Sequence, residues 1–320
     1  MKRIIICLAL LSFSSYLVAD RANGVTIVPF QLIGNSIFVK ATVNDVTGNF
    51  LLDTGSPNLL LNSVYFDGIY LPQQPYTIQD INGHSRDMLH FRVKHLSMGD
   101  YQFDEHHAFV LDLQGIENLK KIKVAGIIGY SVLKEVELMF DFDNRQVLLF
   151  PLDRKGRRTC PLDIYEDMDS FNLRMSSHMA YITARLGEKK LRLGIDSGAE
   201  VNMLNKKTAR KKPAFVKIIG NLLVKGITSK NKAYGKSMVE KLTIDGWEAA
   251  PLEMAIADLY PLNENLDVSL HGILGAPFLM QGKVAINFKR KKLYLRHSLN
   301  SGLAAQKYEN ENEKLVSALK

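Results

Sequence analysis

The sequence predicts an all-β protein built as two copies of one unit, and three observations carry that expectation. Apolar residues recur in short alternating runs broken by Gly, Asn and Asp, with few stretches that hold a helical period. An apolar strand ending in Asp-Thr-Gly or Asp-Ser-Gly comes twice, at FLLDTG (residues 50–55) and LGIDSG (193–198). The likeness between the two halves then extends far beyond those triplets, which marks a duplicated supersecondary unit.

The elements follow in order. The start, MKRIIICLALLSFSSYLVAD, places Lys2 and Arg3 before an apolar run from Ile4 to Ala19, the pattern of a secretory signal peptide. Residues 1–19 are expected to be removed, and the mature protein to be periplasmic or secreted. An uncleaved anchor is the weaker reading, because the run is short and holds Ser12, Ser14 and Ser15. Cys7 would leave with the signal and Cys160 would remain alone, so no internal disulfide is expected.

Residues 20–152 form the first copy. In FLLDTGSPNLLLN, Phe50 to Leu52 and Leu59 to Leu61 read as two core strands, and Asp53 falls on the turn between them. An ionised carboxylate at such a place is so unfavourable that it needs hydrogen bonds or a shared proton. The triplet alone also fits an ordinary turn, with Asp bonding its own backbone and Gly at positive φ. Residues 165–298 supply what one triplet cannot. At an offset of 143, Asp196 lies on Asp53, Leu193 on Phe50, Ile195 on Leu52, Leu204 on Leu61 and Asn205 on Asn62. Upstream, Tyr181 lies on Phe38, Ala184 on Ala41 and Leu186 on Val43. After an insertion of three residues the offset becomes 146, which sets LHGILGAPFL (270–279) on VAGIIGYSVL (124–133). Between the copies, residues 153–164 are basic, edged by proline and without periodicity, as in a linker. The tail 299–320 is rich in Glu, Lys, Asn and Ala and is expected to be a frayed helix or a disordered end.

Composition narrows the function classes. At 46% apolar and 23% charged over 320 residues, the chain has ordinary globular composition and room for two cores. The formal charge of +8 concentrates in NKKTARKK (205–212) and KRKK (289–292). Neither run interleaves aromatics with its charge, and the second lies between two strand patterns, VAINF and LYL, as a hairpin turn would. No nucleic-acid partner is expected. No His or Cys pair has zinc-ligand spacing with further ligands, so neither a metal nor another cofactor is expected.

Two Asp-[Thr/Ser]-Gly loops, each preceded by an apolar strand and followed by an apolar element closed by glycines (Gly126-Ile127-Ile128-Gly129 and Gly272-Ile273-Leu274-Gly275), resemble the aspartic proteases. FLLDTGSPNLLLN is similar to the first active loop of pepsins, while DSGA and the compact copies look like retropepsins and their bacterial relatives. The resemblance implies a bilobal β-fold with a pseudo-twofold axis, two retropepsin-like lobes and flaps above a cleft. Asp53 and Asp196 would be the catalytic pair and a polypeptide the substrate. Thr54 and Ser197 would brace the two loops, and Gly55 and Gly198, lacking a Cβ, would let backbone N–H groups approach the carboxylates. Ser56 would place its hydroxyl within reach of Asp53 where Ala199 offers none, so Asp53 is the expected carrier of negative charge. The flaps would be apolar tips at Ile81, Asn82 and Gly83 and at Gly226 and Ile227, since the pepsin flap tyrosine is missing. The interval between Ala19 and the strand at Ile37 is expected to be too short for an inhibitory pro-segment.

The expected function is an exported aspartic endopeptidase, active as a monomer. Two other readings stand beside it. One is a protease-like cleft that binds peptides without cutting them; the other is a dimer in which each lobe pairs with its twin.

Overall fold

The computed structural model describes residues 24–66, 76–79, 85–160, 165, 168–211, 213–224 and 232–297. The expected signal segment 1–19, the tail 299–320 and the five expected flap-tip residues (Ile81, Asn82, Gly83, Gly226 and Ile227) lie outside them.

Each copy contains a hairpin whose second strand runs into the aspartate. In the first, Ser36–Val43 pairs with Val46–Leu52, Phe38 opposite Leu51, and the chain then turns at Asp53 and leaves as Leu59–Asn62. Strand Gly126–Ile128 inserts between the two arms of that turn. It runs parallel to the incoming arm, with Gly126 opposite Phe50, and antiparallel to the outgoing one, with Gly126 opposite Leu61. The second copy repeats the arrangement: Gly272–Leu274 lies between Lys189–Ile195 and Asn202–Asn205, with Gly272 opposite both Leu193 and Leu204. The glycines are forced by this crowding. A Cβ on Gly126 would stand 2.3 Å from the Leu60 carbonyl oxygen, and one on Gly272 would stand 2.6 Å from that of Met203. The recurring apolar-glycine element is therefore a strand wedged behind each loop, not a free turn.

The copies are joined through a shared sheet. Six consecutive strands of the larger sheet run Asp169–Asn172, Lys292–His297, Gly282–Asn287, Val136–Asp141, Gln146–Pro151 and Thr26–Ile33. The seam between copies is the antiparallel pair of Val136–Asp141 with Gly282–Asn287, Leu138 opposite Ile286. Leu138, Phe140, Ile286 and Leu293 are fully buried along it, each contributing about 2 kcal/mol by removal from water. The KRKK run forms the turn of the last hairpin, as the flanking strand patterns predict. The NKKTARKK run instead holds the short helix Lys206–Lys211, which buries Thr208 and Ala209 and leaves its basic side chains in solvent.

One charged group lies deep in this seam. Glu137 is 1% exposed and accepts a 2.7 Å hydrogen bond from Asn287 Nδ2, which also donates to the Gly156 carbonyl at 2.9 Å. Tyr165 donates a second hydrogen bond to Glu137, and the Arg158 guanidinium stands 3.7 Å away and 4.1 Å from the Tyr165 ring centroid. The segment after Pro151 thereby reaches both copies. A buried carboxylate without such partners would be strongly destabilising.

Beyond each loop the chain forms a longer hairpin. In the first copy Tyr76–Gln79 pairs with Ser85–Val93, Gln79 opposite Ser85; in the second, Val216–Val224 pairs with Lys232–Val239. The expected flap tips fall in the intervals these hairpins enclose.

Candidate active site

The two Asp loops meet across the pseudo-twofold axis and are bonded alike. Asp53 N–H donates to the Ile128 carbonyl at 3.0 Å, and Asp196 N–H to that of Leu274 at 3.0 Å. Tyr130 N–H closes the first loop on the Ser56 carbonyl at 2.8 Å, and Ala276 N–H closes the second on that of Ala199 at 2.8 Å. The glycine strand behind each aspartate therefore fixes where the carboxylate points.

Thr54 and Ser197 exchange hydrogen bonds through the axis. Thr54 N–H donates to Ser197 Oγ at 3.0 Å, and Ser197 N–H donates to Thr54 Oγ1 at 2.9 Å. Each hydroxyl then donates to the strand before the opposite aspartate: Ser197 Oγ to the Leu52 carbonyl at 2.9 Å, and Thr54 Oγ1 to that of Ile195 at 3.3 Å. Both side chains are fully buried, so every one of these groups would be costly to leave unpaired. The bracing expected of Thr54 and Ser197 is what the geometry supplies.

Gly55 and Gly198 press against the opposite carboxylates. A Cβ on Gly55 would lie 2.4 Å from Asp196 Cγ, and one on Gly198 would lie 2.2 Å from Asp53 Cγ. Absence of a side chain is what lets the loops close on each other. Gly55 and Ser56 N–H groups each donate to Asp53 Oδ1 at 2.9 Å, and Gly198 N–H donates to Asp196 Oδ1 at 2.9 Å.

The carboxyl groups share a hydrogen bond, and their acidities follow from that closeness. Burial, the neighbouring Asp196 charge and the hydrogen bond to Asp196 raise Asp53 well above the usual carboxylate range, against N–H donation from Gly55 and Ser56. Burial also raises Asp196, opposed by its hydrogen bonds with Asp53, Gly198 and Ala199 and by the nearby His178. Two carboxyls so placed hold one proton between them and titrate as a unit.

One expectation from sequence needs correction. The Ser56 hydroxyl donates to the Asn58 carbonyl at 3.3 Å, and the contact Ser56 makes with Asp53 is through its backbone N–H. The Ala199 N–H serves Asp196 in the same way. The hydroxyl therefore gives no reason for Asp53 to carry the negative charge.

Several residues at the site escaped the sequence reading. Glu200, just past the second loop, accepts from Ser36 Oγ at 2.6 Å and pairs with the Lys120 ammonium, whose side chain is 8% exposed. Asn35 Nδ2 donates to the Glu200 carbonyl at 2.7 Å, and Lys120 also reaches the Ile33 carbonyl at 3.2 Å. From the other copy, the half-buried His178 stands near the Gly55 carbonyl and Asp196. Burial lowers the imidazole pKa, while that carbonyl and the Asp196 charge pull it back up. The repeat offset of 143 sets His178 on Asn35 and could have drawn attention to both.

Comparison with known proteins bears on this arrangement. No curated protein matches the chain. Among solved structures, basic 7S globulin from soybean superposes with a TM-score of 0.53 at 11% identity, over 87% of this chain and 96% of that one. That likeness concerns the fold, and it matches the bilobal, pseudo-twofold β-architecture expected from the sequence. The family model described as aspartyl protease matches residues 39–132 and 182–278, more than half of the chain and one repeat in each segment, and so the chain belongs to the aspartyl protease family.

Proposed function

We propose that the protein is an exported aspartic endopeptidase in which Asp53 and Asp196 activate a water for attack on a peptide bond. The observation that carries this reading is the exchange of hydrogen bonds between Thr54 and Ser197, which brings the Asp53 and Asp196 carboxyls together; two carboxyls so close favour sharing one proton. The ionised carboxylate takes a proton from the water as its oxygen attacks the peptide carbonyl carbon. The protonated one gives its proton to the carbonyl oxygen, leaving a neutral tetrahedral diol. The first carboxyl then gives its proton to the amide nitrogen while the second takes a proton from a diol hydroxyl, and loss of the C–N bond releases acid and amine with the pair back in its starting state, with no covalent enzyme intermediate and no cofactor. The substrate is a polypeptide, the destination periplasmic or secreted, and the active species a monomer, since both aspartate loops of one site belong to one chain.

The test is cleavage of an unfolded protein mixture from acid to neutral pH, with a statine-type transition-state analogue as control. Wild type should cut, the analogue should stop it, and Asp53→Asn and Asp196→Asn should each lose at least about a hundredfold in rate with unchanged circular dichroism. Near-wild-type turnover in either variant would sink the shared-dyad mechanism. Binding of the analogue without cleavage of any peptide would instead favour a peptide-binding protein.

A further inference from the structure

The two lobes are tied by charge on one side of the active site, and the matching positions on the other side are apolar. Glu200 follows Asp196 on the second loop, and the groups that meet it belong to the first lobe. Its Oε1 accepts from Ser36 Oγ at 2.6 Å and pairs with the Lys120 ammonium, while its carbonyl accepts from Asn35 Nδ2 at 2.7 Å. These groups converge on Gly34, where a Cβ would stand 3.4 Å from both Glu200 Oε2 and Lys120 Nζ. Lys120 ends the helix Gln114–Lys120, which is fixed to its own lobe. Ile116 is buried in one cluster with Leu51 and Ile127, on the strands that set Asp53, and Glu117 accepts from Tyr65 Oη at 2.6 Å and from Val124 N–H at 2.8 Å. The Lys120 side chain is itself buried and also donates to the Ile33 carbonyl at 3.2 Å. Water is a poor substitute there for the Glu200 carboxylate. By the repeat offsets, Pro57 stands in the first loop at the place of Glu200, Met179 at that of Ser36 and Leu266 at that of Lys120. Those three cannot form the same ion pair.

We propose that Lys120 and Glu200 are positioning residues, an interlobe latch that holds the second active loop to the first lobe and keeps the Asp53 and Asp196 carboxyls at their working separation. Its catalytic consequence rests on the endopeptidase reading above; its structural consequence does not. Ser197 lies on the same loop as Glu200, and its N–H donates across the axis to Thr54 Oγ1 at 2.9 Å. Released from Lys120, the second loop can draw away from the first without either lobe unfolding. Carboxyls displaced by about 1 Å lose much of their rate.

Lys120→Met removes the buried cation and leaves the partly exposed Glu200 with Ser36 and solvent, so the fold should hold. Its kcat should fall at least about tenfold while KM stays within about threefold. Lys120→Met/Glu200→Ala, which leaves no charge of the pair unmatched, should equal Lys120→Met within about threefold. Wild-type kcat in Lys120→Met overturns the proposal. So does a raised KM at unchanged kcat, which would make the pair a wall of the substrate cleft, and so does a larger further loss in the double variant. Amide hydrogen exchange needs no turnover. In Lys120→Met the Ser197 and Gly198 amides should exchange about tenfold or more faster than in wild type, with the seam strand Val136–Asp141 unchanged. Identical exchange at Ser197 overturns the latch even if the wild type cleaves nothing, so its failure is separable from failure of the endopeptidase reading.

Discussion

Individual residues at the site divide into those whose role was legible from type and spacing and those defined only by a neighbour from the other copy. For Thr54, Ser197, Gly55 and Gly198 the resemblance to aspartic proteases supplied the expectation and the opposite loop supplies the contacts, whereas Asp53 and Asp196 belong to the first group, because an apolar strand that ends in a charge comes twice at one offset. Ser56 does not, since a hydroxyl after the triplet has two acceptors in reach and only the folded loop selects the Asn58 carbonyl. The consequence is testable. Ser56→Ala should leave the acid limb of kcat/KM unmoved and cost at most about 1 kcal/mol of stability, as read from urea unfolding. A limb displaced to higher pH would restore the hydroxyl–Asp53 contact. Gly198→Ala should behave in the opposite way. Its methyl would fall 2.2 Å from Asp53 Cγ, so the loops must separate, and turnover should drop by at least about a hundredfold even where the variant stays folded.

Among the elements, the strands around each aspartate were readable because both faces are buried and the apolar runs recur at fixed offsets. The pairing of Gly282–Asn287 with the first copy was not. Nothing in VAINF distinguishes a strand that completes its own lobe from one that crosses to the other, and register appears only with the partner. A polar contact marks the crossing: Lys283 Nζ lies 2.9 Å from Asp141 Oδ2, at a carboxylate 3% exposed that Asn144 also holds. Burial acts to raise Asp141, but hydrogen bonds from Lys283 and Asn144 outweigh it and bring the pKa below its usual value. A carboxylate lowered by folding adds stability that is fully present above its unfolded pKa and is lost as pH falls through the folded one. Lys283→Met should therefore cost about 1–3 kcal/mol at neutral pH, and the deficit should shrink as pH falls below 3.8, the ordinary Asp value. Chemical denaturation at pH 7 and at pH 3 measures it; an equal deficit at both would mean that the methylene packing of Lys283, not its charge, ties the copies together.

For the whole molecule, the dyad sets function against stability, and the pH dependence has a definite sign. Asp53 and Asp196 are both raised above the ordinary Asp value of 3.8, so the native state holds a proton that the unfolded chain has already released. A group raised by folding contributes stability present below its unfolded pKa and lost as pH rises toward the folded pKa. The dyad is thus tolerated in acid and becomes a growing burden between about pH 4 and neutrality, opposite in direction to Asp141 at the seam. The Asp53→Asn/Asp196→Asn double variant has no such proton to lose. Its loop amides accept fewer N–H donors than a carboxylate does, but that penalty does not change with pH, so the difference from wild type isolates the titration. The melting temperature of the double variant should rise relative to wild type as pH increases from 4 to 7, and the curves should run parallel below pH 3. The experiment should use protein dilute enough to sediment as a monomer, which also tests the single-chain site: specific activity of the wild type should not fall on dilution. Melting curves parallel across the whole range would mean that the two carboxyls ionise independently, and the shared proton would be lost as the basis of the mechanism.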